Sequence, residues 1–268
     1  VMLEYFDTSF RSVAEVEARL RLPVLGVVPF AEGGGAESED PATLEPVRVL
    51  HTNLNLTLPR RDFHALVIFS AGPGEGKSTT LNRLARLMAS AGERVLLVDS
   101  DLRRPTQHRL LGRPRQPGMS ELLAGQAELE AVVQRDVAPR LDFLPAGGVP
   151  GFTLGLVHAA RLRGLLEGLR GRYDKVLFDS PPIIGVSDAS VLVSVADGAV
   201  LLIQHRRNPR AMVQRARQIV EERKTPLVGV VLNQVPPNAG EDYGYYTRNY
   251  DYYAARPRAG KRPAGAAE

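Results

Sequence analysis

The sequence contains no cysteine, so the chain can form neither a disulfide nor a cysteine-ligated metal site. Only four of its 34 basic residues are lysine, and the basic residues are interleaved with acidic ones along the chain. A nucleic-acid partner is therefore not expected, because a binding face needs clustered positive charge. No apolar run approaches the roughly 20 residues that span a bilayer. Since the sequence starts at Val1 and not at a methionine, we expect it to be part of a longer protein.

Aliphatic residues are missing from the C-terminal end. From Pro236 to Glu268 there is no valine, isoleucine, leucine, methionine or phenylalanine. A segment without such side chains cannot bury enough apolar surface to fold, so residues 236–268 are predicted to be a disordered tail. Yet residues 241–253, EDYGYYTRNYDYY, hold six of the eight tyrosines. Tyrosine is normally half-buried, so this concentration indicates a functional role.

Apolar runs alternate with amphipathic stretches over most of the chain. Continuous apolar strands between amphipathic helices predict an α/β fold with a mostly parallel sheet covered by helices on both faces. Helices are predicted for 78–91, 157–170 and 209–223. The predicted strands are 64–70, 94–100, 141–145, 175–180, 198–204 and 227–233.

The N-terminal part is predicted to consist of a helix and a strand over residues 1–30. Ser12 with Glu15 three residues later forms a capping box that starts the helix. The Gly-, Glu- and Pro-containing stretch 31–46 is interpreted as a flexible linker. The core domain is then expected over 47–235, beginning with a helical segment.

A phosphate-binding loop follows the first strong strand. Residues 71–78, AGPGEGKS, have P-loop spacing and open a predicted helix, with Ala71 in place of the usual first glycine. Gly72, Gly74 and Gly76 permit the positive φ angles and the close backbone approach that such a loop needs. Lys77 is expected to reach the β- and γ-phosphates, and the Ser78 hydroxyl to ligate Mg²⁺.

Three aspartates follow two other strands. Asp99 and Asp101 end the run LLVDSD, and Asp179 ends VLFD. In an open α/β sheet ligands bind at the carboxyl ends of the strands, so these carboxylates are expected to converge on the bound phosphates. One or two of them suffice for Mg²⁺, which leaves another to orient a nucleophile. The alternative for each is that it only caps the following turn.

Together these motifs resemble the bacterial tyrosine kinases, a P-loop family whose members combine four elements. The elements are a Walker A loop, a Walker A′ strand ending in DxDxR, a Walker B strand ending in DxxP, and a C-terminal tyrosine cluster. Here they correspond to Ala71–Ser78, to Asp99, Asp101 and Arg103, to Asp179 and Pro182, and to Tyr243–Tyr253. The similarity continues through GMSELLAG (118–125) and GVVLNQVP (229–236), and it covers nearly the whole chain.

The resemblance implies ATP and Mg²⁺ as cofactors and autophosphorylation of the tail on a neighbouring subunit. An extended chain from Asn233 to Tyr250 reaches roughly 55 Å, so a neighbour's site is within range. The implied catalytic residues are Lys77, Asp99, Asp101 and Asp179. The implied metal ligands are Ser78, Asp99, Asp101 and Asp179. The implied nucleotide-binding residues are Ala71, Gly72, Pro73, Gly74, Glu75, Gly76, Lys77, Ser78, Thr79, Arg103 and Asn233. The implied phosphorylation sites are Tyr243, Tyr245, Tyr246, Tyr250, Tyr252 and Tyr253.

The same resemblance implies partners and a location. Residues 4–29 are similar to the segment that follows the second membrane helix in members fused to a polysaccharide co-polymerase. The chain is therefore expected at the cytoplasmic face of a bacterial inner membrane, where it regulates capsule or exopolysaccharide export. A homo-oligomeric ring, often an octamer, and a cognate tyrosine phosphatase are also implied.

Two departures from the family pattern bear on these expectations. The ring contact ExxRxxR reads Glu45, Arg48 and His51 here, with Pro46 inside it. Histidine cannot form the bidentate fork of arginine, so a weakened ring is expected. Position 72 is glycine, whereas partitioning and cell-division-site ATPases carry a signature lysine there.

Two other functions remain open at this stage. One is a partitioning-type switch ATPase, and the other is an adaptor with a degenerate P-loop and a partner-binding tail. Asn233 ends the last predicted strand, where it can either read an adenine or form a turn. Arg206 and Arg207 are predicted to lie on a solvated loop.

Overall fold

The computed structural model describes residues 8–30, 41–58, 64–148, 158–236 and 239. Over these residues no helix has both the length and the apolar character needed to cross a membrane. The helices are α1 (Val13–Leu20), α2 (Pro41–Thr57), α3 (Lys77–Ser90), α4 (Gln107–Leu110), α5 (Met119–Leu123), α6 (Leu129–Val132), α7 (Ala159–Leu169), α8 (Ser187–Val195) and α9 (Arg210–Glu222). The strands are β1 (Val24–Pro29), β2 (Ala65–Ser70), β3 (Val95–Asp99), β4 (Gln134–Ala138), β5 (Leu141–Leu144), β6 (Lys175–Asp179), β7 (Gly198–Gln204) and β8 (Leu227–Val235).

The strands form one eight-stranded sheet in the order β1-β8-β7-β2-β6-β3-β5-β4. All neighbouring pairs are parallel except β4 and β5. The carboxyl ends of the neighbouring strands β2, β6 and β3 therefore lie side by side. The P-loop follows β2, and the predicted carboxylates lie at the ends of β6 and β3.

The sheet is covered on both faces, as the apolar strands predicted. Alternate residues of β2 face opposite sides: Leu66 and Ile68 pack with α2 and α3, whereas Val67 and Phe69 pack with α1, α7, α8 and α9. All six residues of β2 are buried, which explains why its sequence is a continuous apolar run rather than an alternating one. The α/β fold prediction is confirmed.

The N-terminal helix begins as its capping box predicted, and its strand joins the main sheet. The Ser12 hydroxyl accepts a hydrogen bond from the Glu15 N–H at 3.0 Å, and the Glu15 carboxylate accepts one from the Arg11 N–H. Strand β1 then pairs in parallel with β8. The boundary drawn between residues 1–30 and the core domain is therefore not a structural one, because β1 is the edge strand of the core sheet.

Helix α2 corrects the predicted linker. It begins at Pro41, so residues 41–46 are helical and not part of a linker; residues 31–40 lie outside the described part of the chain. Proline is tolerated at the first helical position, since its missing N–H has no intrahelical partner there. Val47, Leu50 and Leu54 are buried against the sheet, and this apolar stripe holds the helix in place despite Pro46.

The edge strand β4 was not predicted, because its sequence QRDVA lacks an apolar run. It pairs antiparallel with β5, and two of its five residues are exposed. Asp136 has a φ of 49°, and the register shifts between Gln134 and Ala138. Tertiary pairing at the sheet edge, rather than local propensity, makes this segment a strand.

The residues of the expected ring contact lie on α2 and make contacts within the chain. Arg48 pairs with Glu45 at 3.4 Å, and its side chain is 61% exposed. The His51 Nε2 atom lies 3.0 Å from the Glu93 carboxylate and 2.9 Å from the Asn55 amide nitrogen. His51 therefore does not replace the arginine of the family motif as a bidentate donor to a neighbouring subunit.

Candidate active site

The P-loop joins β2 to α3 at the carboxyl edge of the sheet. Helix α3 begins at Lys77, directly after Gly76, so the helix N-terminus points at the loop. Gly74 and Gly76 have φ angles of 71° and 92°, in the region that side chains other than glycine rarely adopt. The loop has the backbone that phosphate binding at a helix N-terminus requires.

Gly76 is required by close packing as well as by its φ angle. A Cβ atom at this position would lie 2.0 Å from the Asn233 amide nitrogen. That nitrogen donates a hydrogen bond to the Glu75 carbonyl at 2.7 Å. Strand β8 thus supports the loop from behind, and only glycine leaves room for the contact.

Glu75 is fully buried inside the loop. Its carboxylate accepts a hydrogen bond from the Gly72 N–H at 2.5 Å and one from the Gln204 N–H, at the end of β7, at 3.3 Å. Burial raises the pKa of this carboxyl, although these two bonds and Lys77 oppose the shift. Glu75 therefore ties the loop to β7 rather than contacting phosphate, which its negative charge would repel.

Lys77 is 7% exposed, and its Nζ donates a hydrogen bond to the Ser70 hydroxyl at 2.9 Å. Burial lowers the pKa of the ammonium group, whereas Asp179, Glu75 and Asp101 oppose that shift. The Lys77 ammonium group is thus held at the base of the loop, near the carboxylates of Asp179, Glu75 and Asp101.

Asp99 and Asp179 lie opposite each other on the neighbouring strands β3 and β6. Both are buried, and the Oδ1 atom of each has no hydrogen-bond partner among the described residues. Burial is the main reason that the pKa of Asp99 is raised and that of Asp179 is raised to about 6; the charge of Asp179 adds to the shift of Asp99. Two adjacent buried carboxylates with free oxygens form a site that favours a bound cation.

Gln107, which the sequence did not single out, links the two aspartates to α3. Its side-chain amide donates to Asp179 Oδ2 and to the Ser78 carbonyl, both at 2.9 Å. Its backbone N–H and that of Thr106 donate to Asp99 Oδ2. Asp99 therefore caps the turn before α4, the alternative that the sequence left open, while one of its oxygens stays unpartnered.

Beside these groups lies a cleft of about 740 Å³, a volume typical of ligand sites. Its walls are the P-loop, the segment 101–110 after β3 and the segment 180–186 after β6. The predicted site residues that line it are Pro73, Gly74, Gly76, Lys77, Ser78, Thr79, Asp101 and Arg103. Ala71, Gly72, Glu75, Asp99, Asp179 and Asn233 are buried around it and do not line it.

Asp101 is the aspartate that faces the cleft. Its Oδ1 atom accepts a hydrogen bond from the Arg104 N–H at 2.9 Å, which holds the loop after β3. Arg103 also lines the cleft, and its guanidinium lies 3.6 Å from the Asp188 carboxylate. The segment after β3 thus brings both an acid and a cation to the cleft.

Asn233 lies within β8 rather than at its end, and its amide nitrogen is engaged by the P-loop. Its neighbour Gln234 lines the cleft, with a φ of 56°. The adenine-binding role of Asn233 stays a prediction, and its observed role is to support the loop.

Arg206 and Arg207 lie on the exposed turn after β7, as predicted, and Arg207 also contacts the P-loop. Its guanidinium donates to the Gly74 carbonyl at 3.2 Å and to the Gln204 side chain at 2.8 Å. It therefore packs over the tip of the P-loop, which no local sequence pattern indicated.

Comparison with known proteins identifies the family. Residues 64–222 match the AAA domain family model. The chain is 35% identical over 202 residues to the tyrosine-protein kinase YwqD of Bacillus subtilis, which covers 75% of this chain and 85% of that protein. The chain belongs to the bacterial tyrosine kinases. The kinase is also similar to tyrosine-protein kinase etk of Escherichia coli, with 33% identity over 204 residues, but spans only 28% of that longer protein.

Solved structures of other proteins superpose on this chain. The kinase domain of Escherichia coli ETK superposes with a TM-score of 0.78 at 29% identity, over 84% of this chain and 94% of that one. The septum site-determining protein MinD of Pyrococcus horikoshii superposes with a TM-score of 0.58 at 23% identity, over 67% of this chain and 76% of that one. The second likeness shows the shared fold alone.

The predicted metal ligands of the kinase fit Mg²⁺ in part. Over the described residues, no group of three or more histidine, cysteine or acidic side chains is arranged to hold a metal ion, so the predicted set of three aspartates with Ser78 is not a preformed cage. Ser78 is close enough to Asp179 to oppose the rise in its pKa, and Asp179 Oδ1 has no hydrogen-bond partner among the described residues. That pair suits Mg²⁺, which keeps several waters and needs only one or two protein carboxylates besides phosphate oxygens. Asp99 accepts hydrogen bonds in its turn and is linked to Asp179 through Gln107.

The tyrosine cluster of the kinase lies outside the described residues, so its six predicted phosphorylation sites stay predictions. Tyr173 is the one tyrosine within the described part. Its hydroxyl donates to Asp142 at 2.6 Å and accepts from Arg135 at 2.8 Å. It is 6% exposed, which makes it a structural residue.

Proposed function

We propose that the kinase transfers the γ-phosphate of ATP, with Mg²⁺, to the tyrosines of its own tail, on a neighbouring copy. The observation that carries this proposal is the cleft lined by Lys77, the P-loop and Asp101, with the unpartnered carboxylate oxygens of Asp99 and Asp179 buried beside it. The same chain supplies six tyrosines within 18 residues of Val235, the end of β8. Donor site and acceptors are thus present in one molecule.

In the proposed step, a tyrosine oxygen forms a bond to the γ-phosphorus of ATP. The bond from that phosphorus to the β,γ-bridging oxygen breaks, and ADP leaves with the electron pair. Lys77 and the loop N–H groups stabilise the negative charge that spreads over the transferred oxygens. Ser78 and Asp179 would hold Mg²⁺, which would supply further neutralisation of phosphate charge.

Asp101 is the proposed acceptor of the phenolic proton. It faces the cleft, whereas Asp99 is fully buried and caps a turn. A carboxylate is a weak base for a phenol of pKa about 10, so it accepts the proton late in the transfer. The main contribution of Asp101 is therefore to orient the hydroxyl group.

The wider role is proposed on the family resemblance. The kinase would act at the cytoplasmic face of the inner membrane with a polysaccharide co-polymerase partner, and would control capsule or exopolysaccharide export. A homo-oligomeric ring would present each tail to a neighbour, and a cognate phosphatase would reverse the modification. Arg48 already pairs with Glu45, and His51 already contacts Glu93. These contacts within the chain support a weak ring contact.

Phosphate mapping tests the proposal. The purified chain is incubated with Mg-ATP, and phosphopeptides are identified by mass spectrometry. We expect phosphate on tyrosines within 243–253 in the wild type and none in Lys77→Met. To test transfer between copies, the Lys77→Met chain with a mass tag is mixed with wild type, and phosphate is then expected on the tagged chain. Phosphate that stays on untagged chains contradicts transfer between copies.

The alternative is a partitioning-type switch ATPase, which would use the same P-loop and aspartates to hydrolyse ATP. Gly72 occupies the position of the signature lysine of those ATPases, so this chain lacks that group. ADP release without any protein-bound phosphate would support the ATPase and overturn the kinase proposal.

A further inference from the structure

The lining of the cleft carries more basic than acidic side chains. Its lining has a single acidic side chain, Asp101. Its basic residues are Lys77, Arg103, Arg104 and Arg109. Lys77 is buried at the P-loop and Arg103 pairs with Asp188, so those two have local partners.

Arg104 and Arg109 stand apart from the phosphate machinery. Both are exposed, and neither forms an ion pair with any described residue. They lie on the loop after β3 and on α4, which Thr106 and Gln107 attach firmly to Asp99. Two unpaired guanidinium groups are thus held by a rigid turn at the rim of a cleft.

Beside them the cleft is apolar. Pro182, Ile184 and Val186 are half-buried and line it together with Leu110 of α4. Such a wall suits an aromatic ring, which has apolar faces and a polar tip. An apolar surface next to two cations matches a tyrosine flanked by carboxylates.

The tail has that composition. Within EDYGYYTRNYDYY, Glu241 and Asp242 precede the first tyrosine of the cluster and Asp251 lies between two others, whereas Arg248 is the only basic residue. The segment is therefore net acidic before any phosphate is added. Its charge is opposite to that of the rim.

We propose that Arg104 and Arg109 form an acceptor subsite that binds the carboxylates flanking the target tyrosine, in the tail of a second copy of this chain. The subsite would favour acidic tyrosine segments over neutral ones. It rests on the proposed function, since it selects the acceptor for that same transfer. Arginine suits this task because its planar fork binds carboxylates with two parallel hydrogen bonds.

The test compares two synthetic peptides of residues 241–253. One has the native sequence, and the other carries Glu241→Gln, Asp242→Asn and Asp251→Asn. The kinase, as the chain of residues 1–268, is used as wild type, as Arg104→Gln/Arg109→Gln, and as a control with Arg163→Gln/Arg223→Gln, two exposed arginines outside the cleft. The kinase's own tail competes equally with both peptides, so the ratio of their kcat/KM values reports the subsite.

We expect the wild type and the control to prefer the native peptide about fivefold to tenfold, as two solvent-exposed charge pairs allow. The Arg104→Gln/Arg109→Gln variant is expected to lose this preference, and high salt to weaken it in the wild type. An unchanged preference in that variant overturns the proposal. A raised KM for ATP with the preference intact also overturns it, because the arginines then bind the nucleotide.

Binding separates this proposal from the proposed function. The fluorescence anisotropy of both peptides, labelled, is measured with the same three proteins and a non-hydrolysable ATP analogue. A preference for the native peptide that depends on the two arginines supports an acidic-peptide site even if no phosphate is transferred. Equal binding of both peptides by an active kinase overturns the subsite and leaves the kinase function standing.

Discussion

The buried charge of Asp179 is expected to make the nucleotide-free kinase less stable at neutral than at acidic pH. Burial raises the pKa of this carboxyl to about 6 in the folded chain, against roughly 3.9 for an unfolded aspartate. Between these pH values the folded state binds more protons than the unfolded state, so the free energy of unfolding falls as the pH rises. A shift of roughly two units corresponds to about 3 kcal/mol, since each unit is about 1.4 kcal/mol.

The perturbation is Asp179→Asn, which keeps the shape and removes the charge. Urea unfolding followed by circular dichroism at 222 nm gives the free energy of unfolding of both proteins at several values from pH 4.5 to pH 8. We expect the stability of the variant relative to the wild type to rise by about 2 kcal/mol over this range, with most of the rise below pH 7. The same variant is expected to lose tail phosphorylation, because Asp179 is a proposed ligand of Mg²⁺.

A control with the opposite sign is available on the surface. The Arg94 guanidinium, 2.8 Å from the Asp174 carboxylate, holds the pKa of Asp174 below its usual range. Its contribution to stability is present above the unfolded pKa and is lost as the pH falls through the folded pKa. Asp174→Asn is therefore expected to fall behind the wild type as the pH rises to about 4, and to keep a nearly constant difference from pH 4.5 to pH 8. If Asp179→Asn shows a pH-independent difference, or is the less stable protein at pH 8, the attribution to a buried charge is wrong.

Two further predictions concern the P-loop. Gly76→Ala is expected to destabilise the chain by about 1–3 kcal/mol and to abolish ATP binding, because its Cβ would collide with the Asn233 amide. The control is Gly92→Ala, since Gly92 also has a positive φ, of 100°, but has open space around it. The control therefore has the backbone strain without the collision. Similar losses in both variants, measured by urea unfolding and nucleotide titration, would contradict this reasoning. Glu75→Ala leaves the Gly72 N–H unpaired and is expected to raise the KM for ATP about tenfold or more, whereas Glu75→Gln restores an acceptor and part of the affinity. Equal KM values in the two Glu75 variants, from steady-state kinetics, would exclude a positioning role.

Most of the sheet was predictable, because buried parallel strands have continuous apolar sequences. Strand β7 was predicted at 198–204 and lies there, and β2, β3, β5, β6 and β8 agree to within one or two residues. The start of α3 followed from the glycines of the loop and the helix-forming residues after it. These features depend on neighbours in the sequence.

The errors lie where distant residues decide. Residues 41–46 contain two prolines, yet they are helical because α2 packs its later apolar residues against β1 and α3. Strand β4 has no apolar run and exists by pairing with β5. Neither segment carries a local signal strong enough to indicate its structure.

The candidate site also contains features that the local sequence specifies and features that only the tertiary structure decides. The sequence alone specifies a P-loop, two strands that end in carboxylates and a tyrosine-rich tail, because each is a short pattern with a local backbone requirement. Only the tertiary structure decides that Glu75 ties the loop to β7, that Gln107 joins Asp99 to Asp179, and that Asp101 alone of the three aspartates faces the cleft. These roles depend on which strands are neighbours and in what register, and sheet order is set by burial summed over the whole chain rather than by any one segment.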